Sequence, residues 1–347
     1  MYIFPQNRNV SPPKKPDYSD IYTSPTYQVN TLGECDEGSY VRMYIPDNPY
    51  LNNNDKIAVI YLHGFTLGAY EIYAAHLEHL VKQGYYVIFP NYQHGFCEFQ
   101  EHKFETLLEL IKATLKPFPI SAVGWMESAI NSVIAAYENL NLDKENVKTY
   151  IFGHSLGGLF ALSWPHYAQA KVNSNILPKQ VVVADPVPDS QSNIPDEIRD
   201  FIDSHEGFKD KVDIVETGKN LTVPVAIIHG NEDKIIPKEC WEEPFKSIQT
   251  KEKKMYLSFT DNYGSPIMYA NHEQATVDTS FVSDWIAKEL LDGVGEENNL
   301  NWRYIWYALD QVIRFGVKAD QLTFDMDKWS DGTPVQPIQV YLESLDK

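Results

Sequence analysis

Three short stretches of this chain carry the residues able to do chemistry. The first is Gly153-His154-Ser155-Leu156-Gly157-Gly158, preceded by the β-branched and aromatic run Val147 to Phe152 and followed by a helical pattern, Leu156 to Ala168. A serine on a tight strand-to-helix turn stands clear of its sheet, and glycines flank it because a Cβ there would strike neighbouring backbone. A serine hydroxyl is a poor nucleophile at its own pKa. It needs an adjacent base, and the base needs an orienting acid. The second stretch, His229-Gly230-Asn231-Glu232-Asp233, closes the apolar run Val225 to Ile228. A carboxylate just past a buried strand is placed to be that acid. Asp233 is the choice over Glu232, which points the other way, and Asp185, at the end of another apolar run, is the runner-up. The third stretch is Tyr269-Ala270-Asn271-His272-Glu273, and His272 is the only histidine after His229, which makes it the base. A histidine base implies turnover that rises with pH through roughly 6 to 7.5.

An oxyanion formed at Ser155 needs two preorganised N–H donors. Leu156, at the start of a helix whose dipole also helps, is one. The loop His63-Gly64-Phe65-Thr66, after the first buried strand, offers the Phe65 N–H as the other. His63, Thr66, Tyr92 and His154 are expected to contact substrate. His94 and Phe96 lie near Tyr92 after the same strand, and His166 in the elbow helix reads as structural.

These residues require a scaffold, and the sequence describes one. Ile57 to Leu62, Tyr86 to Phe89, Val181 to Ala184, Val223 to Ile228 and Met255 to Phe259 are apolar runs of the kind found in strands buried on both faces. Helical periodicity covers 70–83, 106–115, 121–142, 237–247, 279–291 and 302–315. Strands alternating with helices predict an α/β fold, its mostly parallel central sheet covered by helices on both faces. Residues 1–25, rich in Pro, Asn and Ser, read as a poorly ordered lead-in, and 26–347 as one domain. The segments 95–119 and 186–219 lack strand patterns and read as partial cap insertions. Asp189, Asp196, Glu197, Asp200, Asp203, Glu206 and Asp210 make the second acidic, while Ile194, Ile198, Phe201 and Ile202 recur at helical spacing. An acidic rim over the site would favour small-to-medium, uncharged substrates.

A net charge of −19 disfavours nucleic acid and anionic membrane surfaces as partners. No apolar run is long enough to span a bilayer, and the N-terminus has no apolar core of a signal peptide. The sequence leaves the compartment open between a cytosolic protein and the mature form of an exported one. Cys35, Cys97 and Cys240 are far apart, show no metal-ligand spacing, and leave at least one free thiol. No zinc, phosphate-loop or dinucleotide fingerprint is present, so neither metal nor cofactor is expected.

His63-Gly64-Phe65, the Gly153 to Gly158 turn, Gly230-x-x-Asp233-x-x-x-Pro237 and Asn271-His272 together resemble the α/β-hydrolase superfamily, on its dienelactone-hydrolase, cutinase and platelet-activating-factor-acetylhydrolase side. Gly84 to Pro90 fits that group too. The likeness covers about residues 40 to 340. It implies a serine hydrolase that cleaves small-molecule carboxylic esters through an acyl-enzyme, with Ser155, Asp233 and His272 in chain order. The same machinery also suits acyl transfer or amide hydrolysis, and a non-catalytic binding protein on this fold is the reading from another class. The disulfides common in secreted polyester hydrolases are not implied by these cysteines.

Overall fold

The computed structural model describes residues 9–99, 104–115, 117–171, 174–194 and 196–344. Its strands are β1 (Tyr27–Leu32), β2 (Val41–Pro46), β3 (Leu51–Asn52), β4 (Asp55–Leu62), β5 (Tyr86–Pro90), β6 (Ile120–Ser121), β7 (Val147–His154), β8 (Val181–Ala184), β9 (Phe208–Asp210), β10 (Val225–Gly230), β11 (Lys253–Ser258) and β12 (Gln339–Glu343). The main sheet runs β1-β2-β5-β4-β7-β8-β10-β11-β12, with β3 hairpinned onto β4. From β5 to β11 all neighbours are parallel. The two ends are antiparallel. This is the α/β architecture that the alternating pattern predicts.

Residues of the central strands alternate between two cores. In β4, Ile57, Val59 and Tyr61 face one side, where α1 (Ala74–Lys82) brings Leu77, Leu80 and Val81. Ala58, Ile60 and Leu62 face the other, where α3 (Ala122–Asn139) packs Met126 and Ile130 and α4 (Leu156–Ala168) packs Leu159 and Phe160. Between α1 and α3 lies α2 (Leu107–Thr114), capped by Thr106 Oγ1, which accepts from Glu109 N–H.

The 186–219 insertion folds as α5 (Asp196–Asp203), β9 and α6 (Ile214–Thr217). Strand β9 pairs with β6, at the end of the 95–119 insertion. Helix 237–247 contracts to a 3-10 turn and α7 (Pro244–Ser247), and helix 279–291 to α8 (Asp284–Leu290). Helix 302–315 is a π-turn, Asn301–Ile305, running into α9 (Trp306–Ile313).

Residues 9–25 do not behave as a loose lead-in; residues 1–8 of that segment lie outside the described residues. Val10 is buried and its carbonyl accepts Ser265 N–H, Ser24 is fully buried, and Tyr18 packs edge-on to His79. Pro and Ser composition missed this because tertiary contacts, not local propensity, order the segment.

Cys35 and Cys97 form a disulfide, leaving Cys240 free. The sheet register explains a pairing that sequence separation hid. Strands β2 and β5 are antiparallel with Val41 opposite Pro90. Cys35 precedes the first and Cys97 follows the second, so both lie beyond the same end of adjacent strands. No helix is long and apolar enough to cross a membrane among the described residues.

Candidate functional site

Ser155 sits between β7 and α4 with φ +53° and ψ −119°, a conformation that costs strain in a residue with a Cβ. Close packing enforces it. A Cβ on Gly157 would lie 2.3 Å from Leu62 O, and one on Gly153 would lie 2.1 Å from Gly157 O. Ser155 N–H donates to Ala184 O at 3.0 Å, which fixes the turn to β8.

The loops after β10 and β11 reach the same point. His272 Nε2 lies 2.8 Å from Ser155 Oγ, and His272 Nδ1 lies 2.8 Å from Asp233 Oδ2. Three residues spread over 117 positions of sequence thus form one hydrogen-bonded line, each less than a tenth exposed. Asp233 Oδ1 also accepts Ile236 N–H at 2.7 Å. Burial disfavours a charged His272, but the Asp233 charge and hydrogen bond, with Glu273 and Asp185 behind, outweigh it and push the ring up to about 9. Burial also opposes ionised Asp233, and the charge and hydrogen bond of His272 overcome it, holding the carboxyl below the usual range.

Hydrogen bonds around the 63–66 loop single out one donor. Gly64 N–H donates to Tyr73 Oη at 3.0 Å, Thr66 N–H to Gln93 Oε1 at 2.7 Å, and Leu67 N–H to Gly64 O at 3.1 Å. Phe65 N–H has no acceptor among the described residues. Leu156 opens α4, where an N–H has no carbonyl one turn earlier within the helix.

A cavity of about 90 Å³ adjoins Ser155 and His272. Its wall takes Phe65, Thr66 and Leu67 from the loop after β4, Leu110 and Ile111 from α2, and Val187, Ile194 and Ile198 from the 186–219 insertion. Leu156, Ile235 and Leu291 complete an apolar lining. Both insertions therefore reach the cavity. The acidic rim, among its described side chains and apart from Asp189, does not. Among the described side chains of that acidic run only Asp189 lines the cavity, and its carboxylate is engaged by Gln191 and Ser192 N–H, each at 2.8 Å, and by Lys211 at 3.3 Å. Asp210 turns away to accept Val123 N–H at the start of α3.

Of the residues expected to touch substrate, only Thr66 lines the cavity; His63, Tyr92 and His154 are fully buried outside it. Their work is internal. Tyr92 Oη donates to His63 O and its ring stacks on His63 at 4.0 Å, steadying the 63–66 loop. His154 Nε2–H donates to His272 O at 2.9 Å, so His154 Nδ1 accepts from Tyr73 Oη at 2.9 Å. Burial pushes His63 down to about 4 and His154 to about 3, with His272 adding to the second shift. Both rings stay neutral and their tautomers fixed. Sequence reasoning missed Tyr73, Gln93 and Gln274, which no motif marks. It also passed over Glu273. This residue is buried in the cavity wall, its carboxyl oxygens have no hydrogen-bond partner among the described residues, and burial pushes it up to about 7 against the pull of His272.

Asp185, His229 and Asp233 bring ligand-type atoms within 4.8 Å of one another. Asp185 takes Gly230 N–H at 2.7 Å, Asp233 takes His272 Nδ1–H, and His229 Nε2–H donates to Ile236 O at 2.8 Å, which leaves the buried Nδ1 without a hydrogen-bond partner 3.5 Å from Asp185 Oδ1. That set fits an internal polar network better than a cation site.

No family model matches the chain, and comparison with curated proteins gives no match. Solved structures do resemble it. The esterase Pf2001 of Pyrococcus furiosus aligns over 72% of this chain and 88% of its own at 15% identity, with a TM-score of 0.44. Esterase B of Lactobacillus Rhamnosis aligns over 68% and 76% at 14% identity, TM-score 0.45. A monoacylglycerol lipase of Paleococcus ferrophilus aligns over 72% and 91% at 16% identity, TM-score 0.38.

Proposed function

We propose that this chain is a serine hydrolase of the α/β-hydrolase kind, formed by one domain, that cleaves carboxylic esters through an acyl-enzyme. The observation that carries the reading is the Ser155–His272–Asp233 line, with 2.8 Å at both links, at the edge of an apolar cavity. Asp233 takes the Nδ1–H of His272 and fixes the tautomer, leaving Nε2 free to accept a proton from Ser155 Oγ. Oγ attacks the ester carbonyl, and the developing oxyanion accepts from Phe65 and Leu156 N–H. Imidazolium then protonates the leaving alcohol. A water then gives a proton to His272 as its oxygen bonds to the acyl carbon, and His272 returns that proton to Ser155 Oγ as the carbon–Oγ bond breaks and the acid leaves. Each step balances with these groups alone.

The apolar wall supports an uncharged acyl chain of small to medium size as occupant, and the Glu273 and Asp189 carboxyls that share the lining disfavour an anionic one. The Cys35–Cys97 bond supports an oxidising environment for the protein. The test is labelling with a fluorophosphonate and turnover of p-nitrophenyl esters of graded chain length. Labelling at Ser155 with ester turnover is the expected result. Labelling with no turnover of any ester, but with transfer to an added amine or alcohol, would shift the reading to acyl transfer. Absence of labelling would overturn it.

A further inference from the structure

We infer that Asp185 is a positioning residue that holds the loops carrying His272 and Asp233 in register, acting through Gln274 and Gly230. The inference rests on the serine-hydrolase reading of the site. Asp185 directly follows β8, is fully buried, and has φ +46°. Its own N–H donates to Ile228 O at 2.9 Å, while the carbonyl before it accepts Ser155 N–H. Backbone alone therefore places it between the serine turn and β10.

Its carboxylate spans the remaining gap. Gly230 N–H, three residues before Asp233, donates to Oδ1 at 2.7 Å. Gln274 Nε2, two residues after His272, lies 3.0 Å from both Oδ1 and Oδ2. The other end of that amide, Oε1, accepts from Ser258 Oγ at 2.7 Å, at the tip of β11. The backbone carbonyl of Gln274 accepts Asn301 Nδ2–H at 2.9 Å. Gln274 thus ties the base loop to β8 and β11 at once, and Asp185 is the acceptor on which it closes. His272 Nδ1 is already taken by Asp233, so Asp185 acts on the imidazole only by fixing the turn that presents it. The geometry requires one donor and one acceptor between 274 and 185, and it is indifferent to which residue supplies which.

That indifference gives the test. Gln274→Met removes both links at similar volume and should lower kcat for a neutral ester about 10²-fold, the cost of a misplaced group, while KM changes little. Gln274→Glu sets a second carboxyl against Asp185, whose ionisation burial and Asp233 already oppose, and should be at least as slow once the pH is high enough to ionise both. Adding Asp185→Asn to Gln274→Glu restores a donor–acceptor pair with roles exchanged, and should recover about tenfold or more of kcat over Gln274→Glu alone, a coupling typical of contacting residues. The far-downfield proton signal of His272 Nδ1–H should broaden or vanish in Gln274→Met and return in the exchanged pair. That signal needs no turnover, so it tests the clamp even if fluorophosphonate fails to label Ser155 and the hydrolase reading falls. If Gln274→Glu does not fold, Gln274→Met takes its place in the comparison. Wild-type kcat in Gln274→Met, or additive losses in the exchanged pair, would overturn the inference.

Discussion

Raising the pH from 7 to 9 should raise kcat/KM for a neutral ester by about fiftyfold. The base must be neutral to accept the Ser155 proton, and His272 is pushed up to about 9, which moves the limb above the roughly 6 to 7.5 that an unperturbed histidine implies. At a pKa of 9, about one ring in a hundred is neutral at pH 7 and about one in two at pH 9. The sign follows from the partners. Negative groups around the ring stabilise imidazolium, so the active form is present above the raised pKa and is lost as pH falls through it. The perturbation is Glu273→Gln, which removes a carboxylate beside the ring without a large change in volume. Above pH 7 that carboxyl is ionised, so its loss lowers the His272 pKa. The acid limb should then move to lower pH, and the rate at pH 7 should rise toward that at pH 9. The assay is initial rate against pH with a neutral ester, Ser155→Ala as the blank for spontaneous hydrolysis, and a thermal scan at each pH to certify folding. A wild-type limb centred near 6 to 7, or a Glu273→Gln limb that stays put or moves upward, would refute the reasoning.

Ser155→Ala should cut turnover by about 10⁶-fold, the loss seen when such a nucleophile is deleted, and should abolish fluorophosphonate labelling with the near-UV CD spectrum retained. Asp233→Asn should cost about 10⁴ in kcat, because an amide cannot hold the working tautomer, and should cost far more than Asp185→Asn; the reverse order would move the acid to β8. Across straight-chain p-nitrophenyl esters, kcat/KM should rise by about fourfold per methylene while the apolar wall has room, from about 0.8 kcal/mol per CH₂ buried, and fall once the chain outgrows it; a flat series would take the cavity out of acyl binding. Replacing both Cys35 and Cys97 by Ser should lower stability by up to about 4 kcal/mol from the entropy of a loop with 62 residues of separation, read as a lower denaturation midpoint that the wild type matches under reductant.

The central strands and the serine turn were legible because their signals are local. Apolar runs mark strands covered on both faces, and a glycine-flanked serine before a helical pattern marks the turn. Asp233 and His272 were legible by position after their strands, although only the fold brings them to Ser155. What stayed hidden depends on contacts across the chain. The buried roles of His63, Tyr92 and His154 come from Tyr92 Oη on His63 O and from His154 Nε2–H on His272 O, and a histidine near a serine looks the same in sequence whichever way its ring faces. The acidic stretch 186–219 looked like a rim facing substrate, yet its apolar side, Ile194 and Ile198, lines the cavity, because a short amphipathic segment turns that face inward. Residues 9–25 and the Cys35–Cys97 pair escaped for the same reason.

Strands β6 and β9 join the two insertions to each other, Ile120 opposite Phe208, and Asp210 reinforces the seam by capping Ser121 and Val123. Whoever rebuilds this cavity for another substrate inherits that seam. Transplanting one insertion from a homologue would leave its edge without a mate, and a library that varies Ile111 alone explores shapes that Ile194 and Ile198 have already constrained. The two insertions should be exchanged, and selected, as one cassette.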